Sequence, residues 1–123
     1  MEITLAGAVE KFKQYSGEAL DGQEPGRDAL CQGLCGECVQ WVQARLLPGA
    51  PETGREAAEG LAAAEALYQL ALLDQAGTPG AVSTPELKLE LGDRARYAGH
   101  LREEKRRAAA GLLREEGFYF GRI

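Results

Sequence analysis

Residues 61–73, LAAAEALYQLALL, are almost entirely alanine and leucine, and they decide the fold that we expect. The run is interrupted only by Glu65, Tyr68 and Gln69. A helix that is apolar most of the way round is usually the buried centre of a bundle, and its alanines allow neighbouring backbones to approach closely. We therefore predict a central helix from about Arg55 to Gln75, with other helices packed around it.

Two further helices are predicted before this central one. The first runs from about Leu5 to Tyr15, because Thr4 can cap its start and Gly17 can end it. After a loop rich in glycine, the second runs from about Arg27 to Leu47 and stops before a proline. Apolar residues recur along this second segment at steps of three and four, which indicates one buried helical face.

Hydrophobic periodicity changes in residues 86–91, ELKLEL. Leu87, Leu89 and Leu91 alternate with charged residues, and this period of two is typical of a half-buried strand. We therefore predict a short strand, or one arm of a hairpin, before the last helix. Asp93 is a favourable N-cap, so the last helix is predicted from about Arg94 to Glu115.

Together these segments predict a mainly α protein, a four-helix bundle-like domain with one short β-strand or hairpin in the loop before the last helix. The chain has 123 residues, enough for a substantial core, so we expect residues 1–123 to form a single helical domain. Residues 117–123, GFYFGRI, form an aromatic tail that is too apolar to be left in water. We expect this tail to pack back on its own bundle or to dock on a neighbouring subunit.

All three cysteines lie in residues 30–42, LCQGLCGECVQWV, with the spacing C-x3-C-x2-C. The spacing is similar to that of the cluster-binding loop in radical S-adenosylmethionine enzymes. Such a site needs a loop around the iron and a large barrel, which 123 residues cannot supply. On a helix, Cys31, Cys35 and Cys38 share one face with apolar neighbours, and free cysteine packs there as a small hydrophobe. We therefore expect core packing and no cofactor.

Zinc binding is the alternative for this cysteine cluster. Zinc needs a fourth ligand, and His100 is the only histidine in the chain. Gly33 and Gly36 stand between the cysteines and are unfavourable in a helix interior, at roughly 1 kcal/mol each. They favour a loop at this point or, within a helix, mark close contact between two helices.

Charge is divided unevenly along the chain. Residues 1–93 carry 6 Lys and Arg against 15 Asp and Glu, a net charge of −9, whereas residues 94–123 carry 8 against 4, a net charge of +4. An acidic body repels phosphate, so we do not expect sequence-specific nucleic-acid binding. The division suits head-to-tail contact between copies; charges that pair within one solvated helix are the alternative.

No motif in the sequence indicates catalysis. The chain has no Gly-rich phosphate loop after a strand, no nucleophile elbow and no HExxH, and a single histidine on a charged helix is typical of a solvated residue. We therefore expect no enzymatic activity. No apolar run reaches the roughly 18 residues that a membrane span needs, so we expect no membrane partner. The first residues lack a signal-peptide pattern, and we expect a cytoplasmic protein.

Two short motifs and the order of the elements suggest a family. Helices are followed by a strand-like segment that ends in Gly-Asp, Leu89 to Asp93, then by a charged helix and an acidic-Gly-aromatic-x-aromatic motif, Glu116 to Phe120. Over roughly residues 27–123, this order resembles the small head–tail connector proteins of long-tailed bacteriophages and their prophage relatives. The resemblance implies a non-catalytic virion protein that forms a ring below the portal and contacts portal and tail proteins. It would be made in the cytoplasm of a bacterial host.

For such an assembly role, we expect contacts with other copies and with partners to come from the strand-like segment, the last helix and the tail. The residues are Leu87, Leu89, Leu91, Arg94, Arg102, Arg106, Arg107, Phe118 and Phe120. Each could instead belong to the core or to a solvated face. Two other functions remain open: a small helical adaptor or regulatory module that binds a host protein, and a protein that binds metal through its cysteines.

Overall fold

The computed structural model describes residues 1–77 and 84–114, and most of these residues are helical. The four helices are α1 (Leu5–Ser16), α2 (Pro25–Arg45), α3 (Arg55–Gly77) and α4 (Pro85–Ala108). Short 3₁₀ turns cover Glu52–Gly54, before α3, and Ala110–Leu112, after α4. The mainly α fold is therefore confirmed, and the first three helices begin and end within two residues of the predicted positions.

Capping residues explain the bounds of α1. The side chain of Thr4 accepts a hydrogen bond from the backbone N–H of Gly7, which satisfies one of the free donors at the helix start. Gly17 follows the helix with φ of +78°, a left-handed conformation that glycine adopts without steric cost. Its N–H donates to the carbonyl of Lys13 and closes the last turn.

Helix α3 is the centre of the fold, as predicted. Every residue from Ala58 to Leu67 is buried, and α1, α2 and α4 all pack against this helix. Helices α1 and α2 also pack on each other, whereas α4 packs mainly along α3 and reaches α1 through contacts of Tyr97 and Lys105 with Tyr15. The arrangement is thus a three-helix bundle of α1, α2 and α3, with α4 laid on the remaining side of α3.

The predicted strand at residues 86–91 is wrong, because these residues form the first turns of α4. Thr84 caps the helix by accepting from the N–H of Leu87 at 3.1 Å, and Pro85 occupies the first helical position, which its fixed φ favours. Leucines at alternate positions also include an i, i+4 pair, Leu87 and Leu91, which a helix places on one face. A run of only six residues therefore fits both periods.

Asp93 is correspondingly not an N-cap, since it lies inside α4, where it pairs with Arg96 at 3.1 Å. The helix starts nine residues before the predicted start at Arg94 and ends at Ala108 rather than near Glu115. Among the residues that the structure describes, the single strand-like contact is an isolated antiparallel bridge between Leu46 and Leu113.

That bridge fixes the chain after α4 against the end of α2. The N–H of Leu47 donates to the carbonyl of Leu112 at 2.8 Å, and the N–H of Arg114 donates to the carbonyl of Arg45 at 2.8 Å. Leu112 covers Gly54 so closely that a Cβ added there would lie 2.6 Å from a Leu112 methyl carbon. The end of α2, the start of α3 and the end of α4 therefore meet at one pole of the molecule.

Candidate functional site

The clearest charged cluster is built around a buried carboxylate at the centre of α3. Glu65 is 7% exposed, and its Oε1 accepts from Nη2 and Nε of Arg106 at 2.8 and 3.1 Å. Nη1 of Arg102 lies 3.8 Å from the other carboxylate oxygen. The two arginines are one turn apart on α4, so both reach the same carboxylate and attach α4 to α3.

Arg102 has a second contact within the chain. Its guanidinium carbon lies 4.1 Å from the ring centroid of Tyr68, a favourable cation–π distance. Its Nε is buried and finds no hydrogen-bond partner among the described residues. Arg102 and Arg106, two of the residues expected at a partner interface, are therefore engaged inside the subunit. At these two residues the structure agrees with the alternative in which charges pair within one subunit.

The first half of α4 carries the most exposed apolar residues of that helix. Leu89 is 66% exposed and Tyr97 is 52% exposed, while Leu87 is half-buried and Leu91 is buried. Leu89 and Tyr97 contribute the apolar part of a shallow depression of about 480 Å³. Its other lining residues are charged: Glu86, Glu90, Asp93 and Arg94. We call this depression, with its six lining residues, the α4 outer face.

The remaining predicted interface residues divide between this face and the end of the chain. Arg94 lies on the α4 outer face and forms an ion pair with Glu90 one turn earlier. Arg107 is exposed near the end of α4. Phe118 and Phe120 lie outside the described residues. The structure thus brings Leu89 and Arg94 together with Tyr97, a residue that the sequence patterns did not single out for an interface.

A second ion-pair cluster joins the α1–α2 loop to the end of α3. Arg27 donates through Nε and Nη2 to Glu18 at 3.0–3.2 Å, and through Nη1 and Nη2 to Asp74 at 2.9 Å. Hydrogen bonds to Asp74 and then to Glu18 raise the pKa of Arg27 above its usual value. The cluster lines a cavity of about 260 Å³. Arg27 lies 9 residues from Glu18 and 47 residues from Asp74, so no local sequence pattern predicts this ion-pair cluster.

The three cysteines lie on the buried face of α2, as predicted, and all are free thiols. The pKa of Cys31 is raised to about 11, and the pKa values of Cys35 and Cys38 are raised to about 12, mainly because the thiols are buried. A neutral thiol is a poor nucleophile and a poor metal ligand. Cys38 Sγ instead faces the side-chain amide of Gln69 at 3.8 Å.

Metal binding and glycine contact were the other interpretations of the cysteine segment. Across residues 1–77 and 84–114, no three His, Cys, Asp or Glu side chains are grouped so as to hold a metal ion. His100 is exposed on α4. Gly33 and Gly36 are helical, and a Cβ added at either would meet nothing within 4 Å. Neither alternative for these two glycines is found, since they lie in a helix rather than a loop and no neighbouring helix approaches them closely.

Comparison with family models, curated proteins and solved structures found no match. No helix within the described ranges is both long enough and apolar enough to cross a membrane. The segment that the connector resemblance treats as strand-like, Leu89 to Asp93, is helical, and the terminal motif from Glu116 to Phe120 lies outside the described residues.

Proposed function

We propose that this protein is a non-catalytic structural assembly subunit, which forms a homo-oligomer through α4 and presents partner surfaces as a head–tail connector does. More specifically, we propose that the oligomer is a ring of phage or prophage origin that contacts portal and tail proteins. The observation that carries the proposal is the α4 outer face, where Leu89 and Tyr97 are exposed side by side with charged residues.

The composition of this face favours a protein partner. A large aliphatic side chain left 66% exposed beside a half-exposed tyrosine is a typical interface core, and charged residues around it form a typical rim. Tyrosine contributes large contact area with little loss of side-chain freedom. Helix α4 packs mainly on α3 and reaches α1 through Tyr97, whose hydroxyl donates to the carbonyl of Tyr15 at 3.4 Å, and through Lys105. More than half of its residues are nevertheless exposed and accessible to a second chain.

Charge supports contact between unlike faces. Residues 1–93 carry a net charge of −9, and residues 94–123 carry a net charge of +4. The last segment of one copy is therefore attracted electrostatically to the body of the next. Contacts between unlike faces close into rings when the rotation between neighbours permits. Because Arg102 and Arg106 are engaged by Glu65, the exposed Arg107 is the better candidate for this attraction.

The interface is tested by comparing two leucine substitutions in the full chain. Leu89→Glu places a charge on the α4 outer face, and we expect it to shift the protein to a smaller species in analytical ultracentrifugation. Leu5→Glu is the matched control, since Leu5 is 43% exposed on α1, and it should leave the distribution unchanged. If L89E and L5E sediment like the unmodified protein, the α4 outer face is not the interface.

A further inference from the structure

We propose that the cleft between α2 and α4 binds a small planar heterocycle that carries an amino group beside a ring nitrogen, as an aminopurine does. The proposal goes beyond the assembly role, because the cleft shares no lining residue with the α4 outer face. It rests on the size of the cleft, on polar side chains in its wall that keep unused hydrogen-bonding capacity, and on an aromatic side chain beside them.

The cleft lies between α2 and α4, which both pack on α3. Its volume of about 360 Å³ is within the range of roughly 300–1,000 Å³ that is usual for ligand pockets. The wall combines one large aromatic side chain with groups that donate and accept hydrogen bonds, which is the usual composition of a small-molecule site. All three helices contribute to it, and the lining residues are Glu37, Cys38, Trp41, Glu65, Gln69 and Arg106.

Glu65 supplies a strong hydrogen-bond acceptor to the wall of the cleft. It is only 7% exposed, and its Oε1 accepts both hydrogen bonds that Arg106 donates. Its Oε2 accepts no hydrogen bond from the residues that the structure describes, since Nη1 of Arg102 is 3.8 Å away. A buried carboxylate oxygen without a hydrogen-bond donor carries a desolvation cost. An N–H group of a bound ligand would remove that cost.

Gln69 supplies a donor and an acceptor one turn further along α3. Residues four apart lie on the same helical face, so its amide is adjacent to the Glu65 carboxylate. Within the described ranges the amide makes one long hydrogen bond, from Nε2 to Cys38 Sγ at 3.8 Å, and its carbonyl oxygen accepts none. A glutamine amide forms a matched pair of hydrogen bonds with an amino group and the ring nitrogen beside it, as in adenine. The second hydrogen of that amino group is then left for Glu65.

Trp41 provides the aromatic surface that such a ring system needs. It is half-buried and lines the cleft, and the guanidinium of Arg45 lies 4.3 Å from its ring centroid, which restrains the indole. Aromatic side chains are the usual stacking platform for a heterocyclic base. The lining carries two carboxylates, Glu37 and Glu65, against the one guanidinium of Arg106, so it disfavours an anionic ligand. A neutral amino-substituted heterocycle therefore fits the cleft best.

The experiment titrates the unmodified full chain with adenosine and with purine riboside, which has the same ring system without the amino group. Trp41 is the only tryptophan in the chain, so its fluorescence reports binding in the cleft. We expect adenosine to quench the emission saturably and to bind about tenfold more tightly than purine riboside. The physical reason is that only adenosine supplies the amino group that bonds to Gln69 and Glu65.

Two variants locate the binding. Gln69→Leu keeps the approximate size of the side chain and removes its donor and acceptor, so we expect it to weaken adenosine binding about tenfold, to the level of purine riboside. Gln75→Leu is the matched control, because Gln75 is exposed on the same helix and does not line the cleft. It should bind adenosine as the unmodified chain does.

Three outcomes overturn the proposal. Adenosine that causes no saturable quenching at concentrations up to about 1 mM shows that the cleft does not bind this class of ligand. Equal affinities for adenosine and purine riboside show that the amino group is not recognised. Equal adenosine affinities of Q69L and Q75L show that Gln69 is not part of the site. Should Q69L fail to fold, the comparison of the two ligands on the unmodified chain decides the question. Oligomer mass, measured separately, decides the proposed function.

Discussion

At the residue scale, the described structure is distinguished by carboxylates that are buried yet paired. Glu59 accepts from the backbone N–H and hydroxyl of Thr4 at 2.7 and 2.8 Å, and so fixes the start of α1 on α3. Glu65 does the same for α4 through Arg102 and Arg106. Both carboxylates lie in the alanine-rich helix α3, each at the point where another helix, α1 or α4, is held in one position.

Replacement of Glu65 should therefore cost more than replacement of an exposed carboxylate. We expect Glu65→Gln to lower the free energy of unfolding by about 2–3 kcal/mol, because two partly buried guanidinium groups lose their counter-charge. Urea denaturation measures the change. Glu10→Gln, which breaks an exposed pair with Lys13, should cost less than about 1 kcal/mol. Similar losses in E65Q and E10Q would mean that the cluster does not hold α4.

The cysteines should be unreactive in the folded protein. Folding raises the pKa values of the three cysteines from 9.0 to between about 11 and about 12. The neutral thiols therefore contribute their full stability to the fold below pH 9. This contribution is lost as pH rises from 9 toward 12. At neutral pH a thiol reagent should label Cys31, Cys35 and Cys38 only after denaturation. Gln40→Cys, exposed on the same helix, is the positive control and should react at once. Rapid labelling of the unmodified protein would contradict burial.

At the scale of elements, the sequence predicts helices best where their ends carry specific signals. Thr4 and Gly17 define α1, and the long alanine–leucine run defines α3 and its central position. Helix α4 was mispredicted at its start, because three leucines at alternate positions fit a strand and a helix equally well over six residues. The pairs between α4 and α3 could not be predicted, since Glu65 and its arginines are far apart in sequence and join only through packing.

Gly92 distinguishes the two interpretations of this segment. In the structure it is inside α4, and a Cβ there would meet nothing within 4 Å, so Gly92→Ala should raise the free energy of unfolding by about 0.5–1 kcal/mol. If Gly92 ended a strand in a turn, the same change would be neutral or destabilising. Thermal or urea unfolding measures it. Gly17→Ala, at a left-handed position, is the control that should lower stability.

At the scale of the whole molecule, the described structure is a three-helix bundle with α4 on one side of α3, and its charge is divided along the chain. If unlike charges on successive copies contribute to assembly, salt should weaken it. We expect the oligomer to dissociate partly when the salt concentration rises from about 0.05 M to about 0.5 M, because the screening length falls below the spacing of surface charges. Light scattering measures the effect. Association that strengthens with salt would indicate that the apolar residues of the α4 outer face dominate.

The most direct test of the central claim, that this chain is an assembly subunit, is its absolute mass in solution. The measurement is multi-angle light scattering of the unmodified full chain after size-exclusion chromatography, over a wide concentration series. The account predicts one discrete oligomer whose mass is a whole multiple of 13.2 kDa and which dissociates in the L89E variant. A species of 13.2 kDa at every concentration would contradict self-assembly and favour a monomeric adaptor.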